Sequence, residues 1–132
     1  MKTVTTHSLG TDYQETLKIG DFEILLDSEV ETGGGDKGPT PHDLLTGALL
    51  GCKSMTMRMY AKRKGWDLTG LKLSANQIKV DRKHTRFEVQ IQFPDHLDQE
   101  QKDRLIDISG RCPVHLSIVG QVDIEAKEAP VD

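Results

Sequence analysis

Residues 40–65 read TPHDLLTGALLGCKSMTMRMYAKRKG, and this stretch decides the fold. Thr40 can cap a helix, Pro41 suits the first helical position, and Gly65 suits the position after the last turn. The sequence therefore predicts one long helix from residue 41 to about Lys64. Its first half carries apolar or small residues in every direction, whereas a surface helix has one polar face. A small sheet covers only one side, so we expect a second copy of the helix, or a strand of another chain, on the other.

Before this helix, the chain predicts a hairpin and then a polar loop. Apolar residues alternate on both sides of Gly20-Asp21, a two-residue turn that would place Ile19 opposite Phe22. Residues 28–40 are rich in glycine, and we interpret them as a flexible connector or as a flap over an active site. Two of the glycines have the spacing of a phosphate loop, but Pro39 stands where that motif needs lysine. Phosphate binding is therefore not expected.

Two strands and a second helix are predicted after the long helix. Alternating apolar residues indicate strands at about 71–80 and 87–93. Asp98 and Gln101 have the spacing of a capping box, which predicts a helix over about 99–109.

The last part of the chain predicts a short helix and a closing strand. Pro113 suits a first helical position, which makes Cys112 the N-cap, and Gly120 ends the segment. A final strand is expected from three alternating apolar residues, Val122, Ile124 and Ala126. The order of strands, helix, strands, helices and strand indicates an α+β fold, in one domain over residues 1–132.

Composition excludes several classes of protein. The net charge is −4 at pH 7, and no basic stripe of a nucleic-acid binder is present. Lys62-Arg63-Lys64 is better explained as a last helical turn that complements the helix dipole. No apolar run reaches the length of a membrane span, and the first residues lack a signal-peptide pattern. We expect a cytoplasmic protein, in which a disulfide would be transient and chemical.

The two cysteines, Cys52 and Cys112, are sixty residues apart in the sequence. Two inert buried thiols are the simplest interpretation, because free cysteine is among the most buried residue types. A helix N-terminus with Arg111 beside it would make Cys112 unusually acidic. Burial in the middle of a helix disfavours a thiolate at Cys52 unless a cation or a hydrogen-bond donor lies near. The residues alone therefore nominate Cys112 as the more acidic thiol.

A metal site is the other chemical interpretation of these residues. Cys112 and His115 have the spacing of one tight ligand pair, and Cys52 and His42 could complete a set of four. Such sites usually combine two tight pairs, and only one is present. No metal or other cofactor is therefore expected.

Two segments together resemble the OsmC/Ohr family, which comprises osmotically inducible protein C and the organic hydroperoxide resistance proteins. They are GPTPHDLLTGALLGCKSMTMRMY at residues 38–60 and RCPVH at residues 111–115. The predicted element order agrees over essentially the whole chain. The resemblance implies an OsmC/Ohr-like fold, in which a long central buried helix is wrapped by antiparallel sheet. It also implies an intertwined homodimer with active sites at the subunit interface.

The resemblance further implies the roles of the two thiols. The Cys52 thiolate would attack an organic hydroperoxide and become a sulfenic acid, and Cys112 would condense with it to a disulfide that an external dithiol reduces. The resemblance thus makes Cys52 the attacking thiol, whereas the helix N-terminus favours a thiolate at Cys112. We expect Arg111 beside the second thiol, and an apolar wall for the peroxide tail formed by Leu45, Leu49, Met55 and Met59.

The chain departs from the family pattern at two positions. Peroxidases of this family pair the reactive thiol with an N-terminal arginine and with a glutamate at the start of the central helix. This chain has no arginine before Arg58 and carries His42 and Asp43 at the helix start, with Asp43 the nearer substitute. The cation could come from Lys18, Lys37 or the partner chain. The sequence thus resembles the less characterised OsmC-like branch, and the alternative function is a non-catalytic protein that holds a small apolar ligand at the dimer interface.

Overall fold

The computed structural model describes residues 1–130 and confirms the α+β class. The strands are β1 (Val4–Ser8), β2 (Glu15–Ile19), β3 (Phe22–Leu26), β4 (Lys72–Asp81) and β5 (His84–Gln92). The helices are α1 (Pro41–Lys64), α2 (Gln99–Ser109) and α3 (Pro113–Val119), with a short 3-10 helix at Val30–Thr32. Strands β1, β2 and β3 form one antiparallel sheet, and β4 pairs with β5 in a second. Within the described chain, no helix combines the length and apolarity needed to cross a membrane.

The chain forms two compact units. The first contains Met1–Gly47 and Gln77–Arg86, and the second contains Ala48–Asn76 and the chain from Phe87 onward. Helix α1 and the β4 and β5 strands each contribute residues to both units.

The sheet of the first unit contains the predicted hairpin and one strand that was not predicted. Ile19 pairs with Phe22 across the turn as expected, and Gly20 takes a positive φ of 60° there. Strand β1 pairs with β2, with Val4 opposite Ile19. All five residues of β1 are exposed, so backbone hydrogen bonds hold it in place and no apolar pattern indicates it.

Asp27 organises the glycine-rich loop, which is hydrogen-bonded rather than the loose connector that we expected. The buried carboxylate accepts hydrogen bonds from three backbone N–H groups, those of Ser28 (2.7 Å), Gly35 (3.2 Å) and Lys37 (3.1 Å). A Cβ added at Gly34 would lie 2.0 Å from the carbonyl oxygen of Ser28. Close packing of the backbone therefore accounts for glycine at that position.

Helix α1 begins and ends where the sequence predicts. The Thr40 hydroxyl accepts a hydrogen bond from the Asp43 N–H (3.1 Å), and the Asp43 carboxylate accepts one from the Thr40 N–H (2.9 Å). These reciprocal bonds satisfy two donors at the helix start. Gly65 follows the last turn with a φ of 73°, a conformation that favours glycine.

Helix α1 buries one stripe of side chains and exposes another. The buried residues follow each other at intervals of four, and they are Leu49, Lys53, Met57 and Ala61. Met55 and Met59 lie on another face and are 60% and 68% exposed. The described chain therefore covers one side of the helix only, and cover for the other side stays a prediction.

The core of the second unit joins α1 to α2. It contains Met57, Ala61, Leu68, Leu97 and Leu105. The predicted capping box of α2 is present, since Asp98 accepts a hydrogen bond from the Gln101 N–H (2.8 Å) and the Gln101 side chain accepts one from the Asp98 N–H (2.9 Å). The cap fixes the start of α2 at Gln99, and Gly110 follows its last residue, Ser109.

The prediction of a final strand is wrong for the described chain. Residues 121–130 contain neither helix nor strand, and Val122 and Ile124 are exposed. Alternation of apolar residues produces a strand only where a second strand accepts its hydrogen bonds. Helix α3 just before it is as predicted, with Cys112 as N-cap and Pro113 in the first turn.

Candidate active site

Folding brings the two cysteines of the second unit together. Cys52 lies in the middle of α1, and Cys112 lies at the start of α3. The two sulfurs lie close enough for Cys52 to raise the pKa of Cys112, and both are free cysteines. Cys112 is fully buried, whereas Cys52 is only partly buried. The site therefore holds a reduced dithiol of which one sulfur is the more accessible.

Lys53 is the residue that the sequence analysis missed. It is only 6% exposed, and its Nζ donates a hydrogen bond to the carbonyl oxygen of Ser109 at 2.8 Å. A second hydrogen bond, also 2.8 Å long, joins Nζ to Nδ1 of His115. An ammonium can only donate, so Nδ1 accepts while Lys53 is charged. The site thus contains a buried cation held by α2 and α3.

Burial lowers the pKa of Lys53, because desolvation disfavours the charged ammonium. Negative charge on Cys112 or Cys52 acts in the opposite direction and favours the charged form. The amine and the two sulfurs are therefore close enough to influence one another's protonation.

Burial raises the pKa of Cys112, which contradicts our expectation of an acidic thiol at a helix N-terminus. The His115 N–H donates a hydrogen bond to Sγ of Cys112 at 3.3 Å and lowers the pKa, but by less than burial raises it. The neighbouring Cys52 raises it further, and Lys53 opposes this. Helix α3 has only seven residues, and its N-terminus does not outweigh the loss of water.

Arg111 does not play the expected part beside the second thiol. Its guanidinium donates to Oδ2 of Asp107 at 2.7 Å, and both side chains are more than half exposed. The charge of Arg111 is therefore partly neutralised at the surface, where solvent also screens it.

His115 connects the amine to the thiol. Burial lowers the pKa of its imidazole, and the positive charge of Lys53 lowers it further. A neutral ring that accepts at Nδ1 carries its hydrogen on Nε2. One residue therefore contacts Lys53 through its ring and Cys112 through its backbone.

The other predicted site residues make local contacts or are set apart by their burial. The Asp43 carboxylate caps α1, and Lys18 pairs with Glu23 at the surface (3.3 Å). Leu49 is buried and is not available to a substrate as a wall residue, whereas Leu45, like the methionines of the exposed stripe, is exposed.

One signal in the sequence could have revealed Lys53. It is the only charged residue between Asp43 and Arg58. A single lysine inside an apolar helical segment faces either solvent or a built polar site, and the sequence does not distinguish these.

The cluster of residues does not suit a metal ion. Among residues 1–130, no three His, Cys, Asp or Glu side chains come together as a set of ligands. The ammonium of Lys53 also uses the Nδ1 lone pair of His115.

The fold and this site define an α+β protein with a pair of free thiols beside a buried lysine. The sequence pattern of the OsmC-like protein family matches residues 33–127, and the chain belongs to that family. The search of curated proteins finds no match.

Solved structures share the fold at low sequence identity. A putative osmotic stress induced and detoxification response protein from Psychrobacter arcticus is 22% identical, with a TM-score of 0.78 over 89% of this chain and 88% of that one. An OsmC-like protein from Mycoplasma pneumoniae is also 22% identical, with a TM-score of 0.76 over 91% and 88%. An organic hydroperoxide resistance protein OsmC from Legionella pneumophila is 19% identical, with a TM-score of 0.68 over 93% and 92%. At these identities the likeness shows the fold alone.

Proposed function

We propose that this protein is a thiol-dependent hydroperoxide reductase that reduces organic hydroperoxides through Cys52 and Cys112. The observation that carries the proposal is a neighbouring pair of free thiols with a buried lysine beside it. A structural relative described as an organic hydroperoxide resistance protein supports the choice of substrate.

Accessibility supports Cys52 as the thiol of the first step. Its side chain is partly exposed, whereas Cys112 is fully buried. The Cys52 thiolate attacks the terminal oxygen of the peroxide, so that an S–O bond forms and the O–O bond breaks. Cys52 becomes a sulfenic acid, and the leaving alkoxide takes up a proton to give the alcohol.

Lys53 provides the cation that we expected from Lys18, Lys37 or a partner chain. Its charge lies in a region of low water content, where Coulomb attraction to a thiolate is much stronger than in bulk water. A cation near the sulfur favours the thiolate, which is the reactive form of cysteine.

Cys112 completes the cycle as the resolving thiol. Its raised pKa keeps it protonated at neutral pH, so it does not compete for the peroxide. After Cys52 is oxidised, the sulfur of Cys112 attacks the sulfenic sulfur, a disulfide forms and water leaves. An external dithiol then reduces the disulfide and is itself oxidised.

The exposed stripe of α1 supports a homodimer as the active form. Leu45, Met55 and Met59 are large apolar side chains in contact with solvent, and a second chain would remove them from water. The same contact could supply a pairing strand for residues 122–126.

Thiol titration after one equivalent of cumene hydroperoxide tests this function. The wild-type protein should lose both thiols, and Cys52→Ser should lose none. Cys112→Ser should form one sulfenic acid, trapped by dimedone, and should not turn over with a dithiol. If both wild-type thiols survive, or if Cys52 reacts no faster than free cysteine, the peroxidase function is wrong and the non-catalytic ligand-binding alternative is favoured.

A further inference from the structure

We propose that Lys53 carries the protons of both half-reactions: its ammonium protonates the oxygen that leaves the peroxide, and its amine then accepts the proton of Cys112. His115 is the positioning residue that holds the amine in place. This inference rests on the proposed peroxidase function and adds an acid–base role to it.

The geometry around Nζ supports this role. A lysine ammonium has three donors. The carbonyl of Ser109 and Nδ1 of His115 fix two of them, each at 2.8 Å. With two directions fixed, the third N–H bond is left for the reacting atoms. Both sulfurs lie within the range of its charge.

The surroundings of Lys53 suit an amine that gives and takes a proton. Its charge interacts with those of Cys52 on α1 and Cys112 on α3, while His115 of α3 and the backbone carbonyl of Ser109 on α2 contact the amine directly. Burial lowers the pKa of the amine toward neutral pH, where an acid–base catalyst is most effective.

The protons balance over the cycle. In the first half-reaction, the Cys52 thiolate takes the terminal hydroxyl of the peroxide, and Lys53 gives its proton to the alkoxide, which leaves as the alcohol. In the second, neutral Lys53 takes the proton of Cys112, and the new thiolate attacks the Cys52 sulfenic acid. The departing hydroxide takes the same proton back from Lys53 and leaves as water. Reduction by the external dithiol restores the proton on Lys53.

His115 contacts both partners of the second proton transfer. Its ring accepts from Lys53, and its backbone N–H donates to Cys112 Sγ at 3.3 Å. Loss of the ring acceptor would release the amine without removing its charge. The expected consequence is a slower proton transfer, which affects only oxidants whose leaving group needs a proton.

Oxidants with different leaving groups distinguish proton donation by Lys53 from stabilisation by its positive charge alone. An alkyl hydroperoxide releases a strongly basic alkoxide, which needs a proton, whereas a peroxycarboxylic acid releases a weakly basic carboxylate, which does not. Lys53→Arg keeps the positive charge but has no proton to give at neutral pH. Its oxidation rate with tert-butyl hydroperoxide should fall about 100-fold or more, and that with peracetic acid by no more than about threefold.

Single-turnover oxidation of Cys52, followed by thiol loss, provides these rates. Lys62→Arg, an exposed lysine of the same helix, is the matched control and should leave both rates unchanged. An equal fall with both oxidants in Lys53→Arg, at an unchanged Cys52 thiolate fraction, would overturn the proton-carrier role while the peroxidase function stands. No oxidation of the wild-type thiol by either oxidant would instead overturn the peroxidase function itself.

A second pair of variants covers the case in which arginine disturbs the fold. His115→Asn places an acceptor oxygen where Nδ1 stood, and His115→Leu does not. The oxidation rate of the leucine variant should fall about tenfold with tert-butyl hydroperoxide and change little with peracetic acid. The asparagine variant should keep most of the wild-type rate with both oxidants. Equal rates for the two variants would exclude His115 as the positioning residue. Circular dichroism checks that each variant is folded.

Discussion

The two stripes of α1 differ in a way that is unusual for a surface helix. The buried stripe contains a lysine, and the exposed stripe contains two methionines. An unpaired buried charge is costly, and clusters of exposed large apolar side chains often mark a contact surface. The lysine is compensated by Ser109 and His115, whereas the described chain leaves the two methionines exposed. We propose that the buried stripe serves the chemistry through Lys53 and that the exposed stripe serves the assembly.

The largest expected effect concerns the buried stripe. Met57 is fully buried in the core of the second unit. Met57→Ala should lower the free energy of unfolding by about 3 kcal/mol, because it removes apolar contacts and leaves a cavity. Arg58→Ala, the next residue and exposed, should change it by less than about 0.5 kcal/mol. Urea unfolding at one protein concentration measures both, and similar values for the two variants would show that the stripe is not part of a core.

The exposed stripe should instead control assembly. Met55→Glu combined with Met59→Glu places two charges where a partner's apolar surface is expected, so the dimer dissociation constant should rise about 100-fold, or roughly 2.7 kcal/mol. Analytical ultracentrifugation measures this change. Lys62→Glu on the same helix is the control for added negative charge. A wild-type protein that is monomeric at micromolar concentration would contradict the assignment of this stripe to an interface.

The parts of the fold that local chemistry specifies were predicted from the sequence. Thr40 and Gly65 determine the ends of α1, Asp98 and Gln101 form the cap of α2, and the Gly20 turn defines the hairpin. Strand β1 was missed because its residues are exposed and only its backbone pairs. The final strand was predicted wrongly, because an alternating pattern does not supply the strand with which it must pair.

The candidate site was harder to predict, because its contacts join distant parts of the chain. The resemblance indicated Cys52 and Cys112 as a pair, and the structure brings them together. Lys53 finds its partners at positions 109 and 115, and no local pattern links it to them. The expected acidity of Cys112 was wrong because burial affects this thiol more strongly than the end of a short helix does. For Lys53 and Cys112 alike, the deciding quantity was the degree of burial in the folded chain, which the sequence does not give.

The smallest expected effect concerns the pH dependence of stability, and it tests the contact between His115 and Lys53. Burial, together with Lys53, holds the pKa of His115 below its ordinary value. Between the folded and unfolded pKa values the unfolded chain binds more protons, so stability should fall as pH decreases from about 6.5 toward the lower folded value. His115→Asn has no ring to titrate and should show a smaller loss between pH 7 and pH 5. Urea unfolding across this range gives both curves. Cys112 does not interfere, because its raised pKa acts on the alkaline side. Parallel curves for the wild type and the variant would mean that His115 is not held neutral by its surroundings, and its bond to Lys53 would then lose its support.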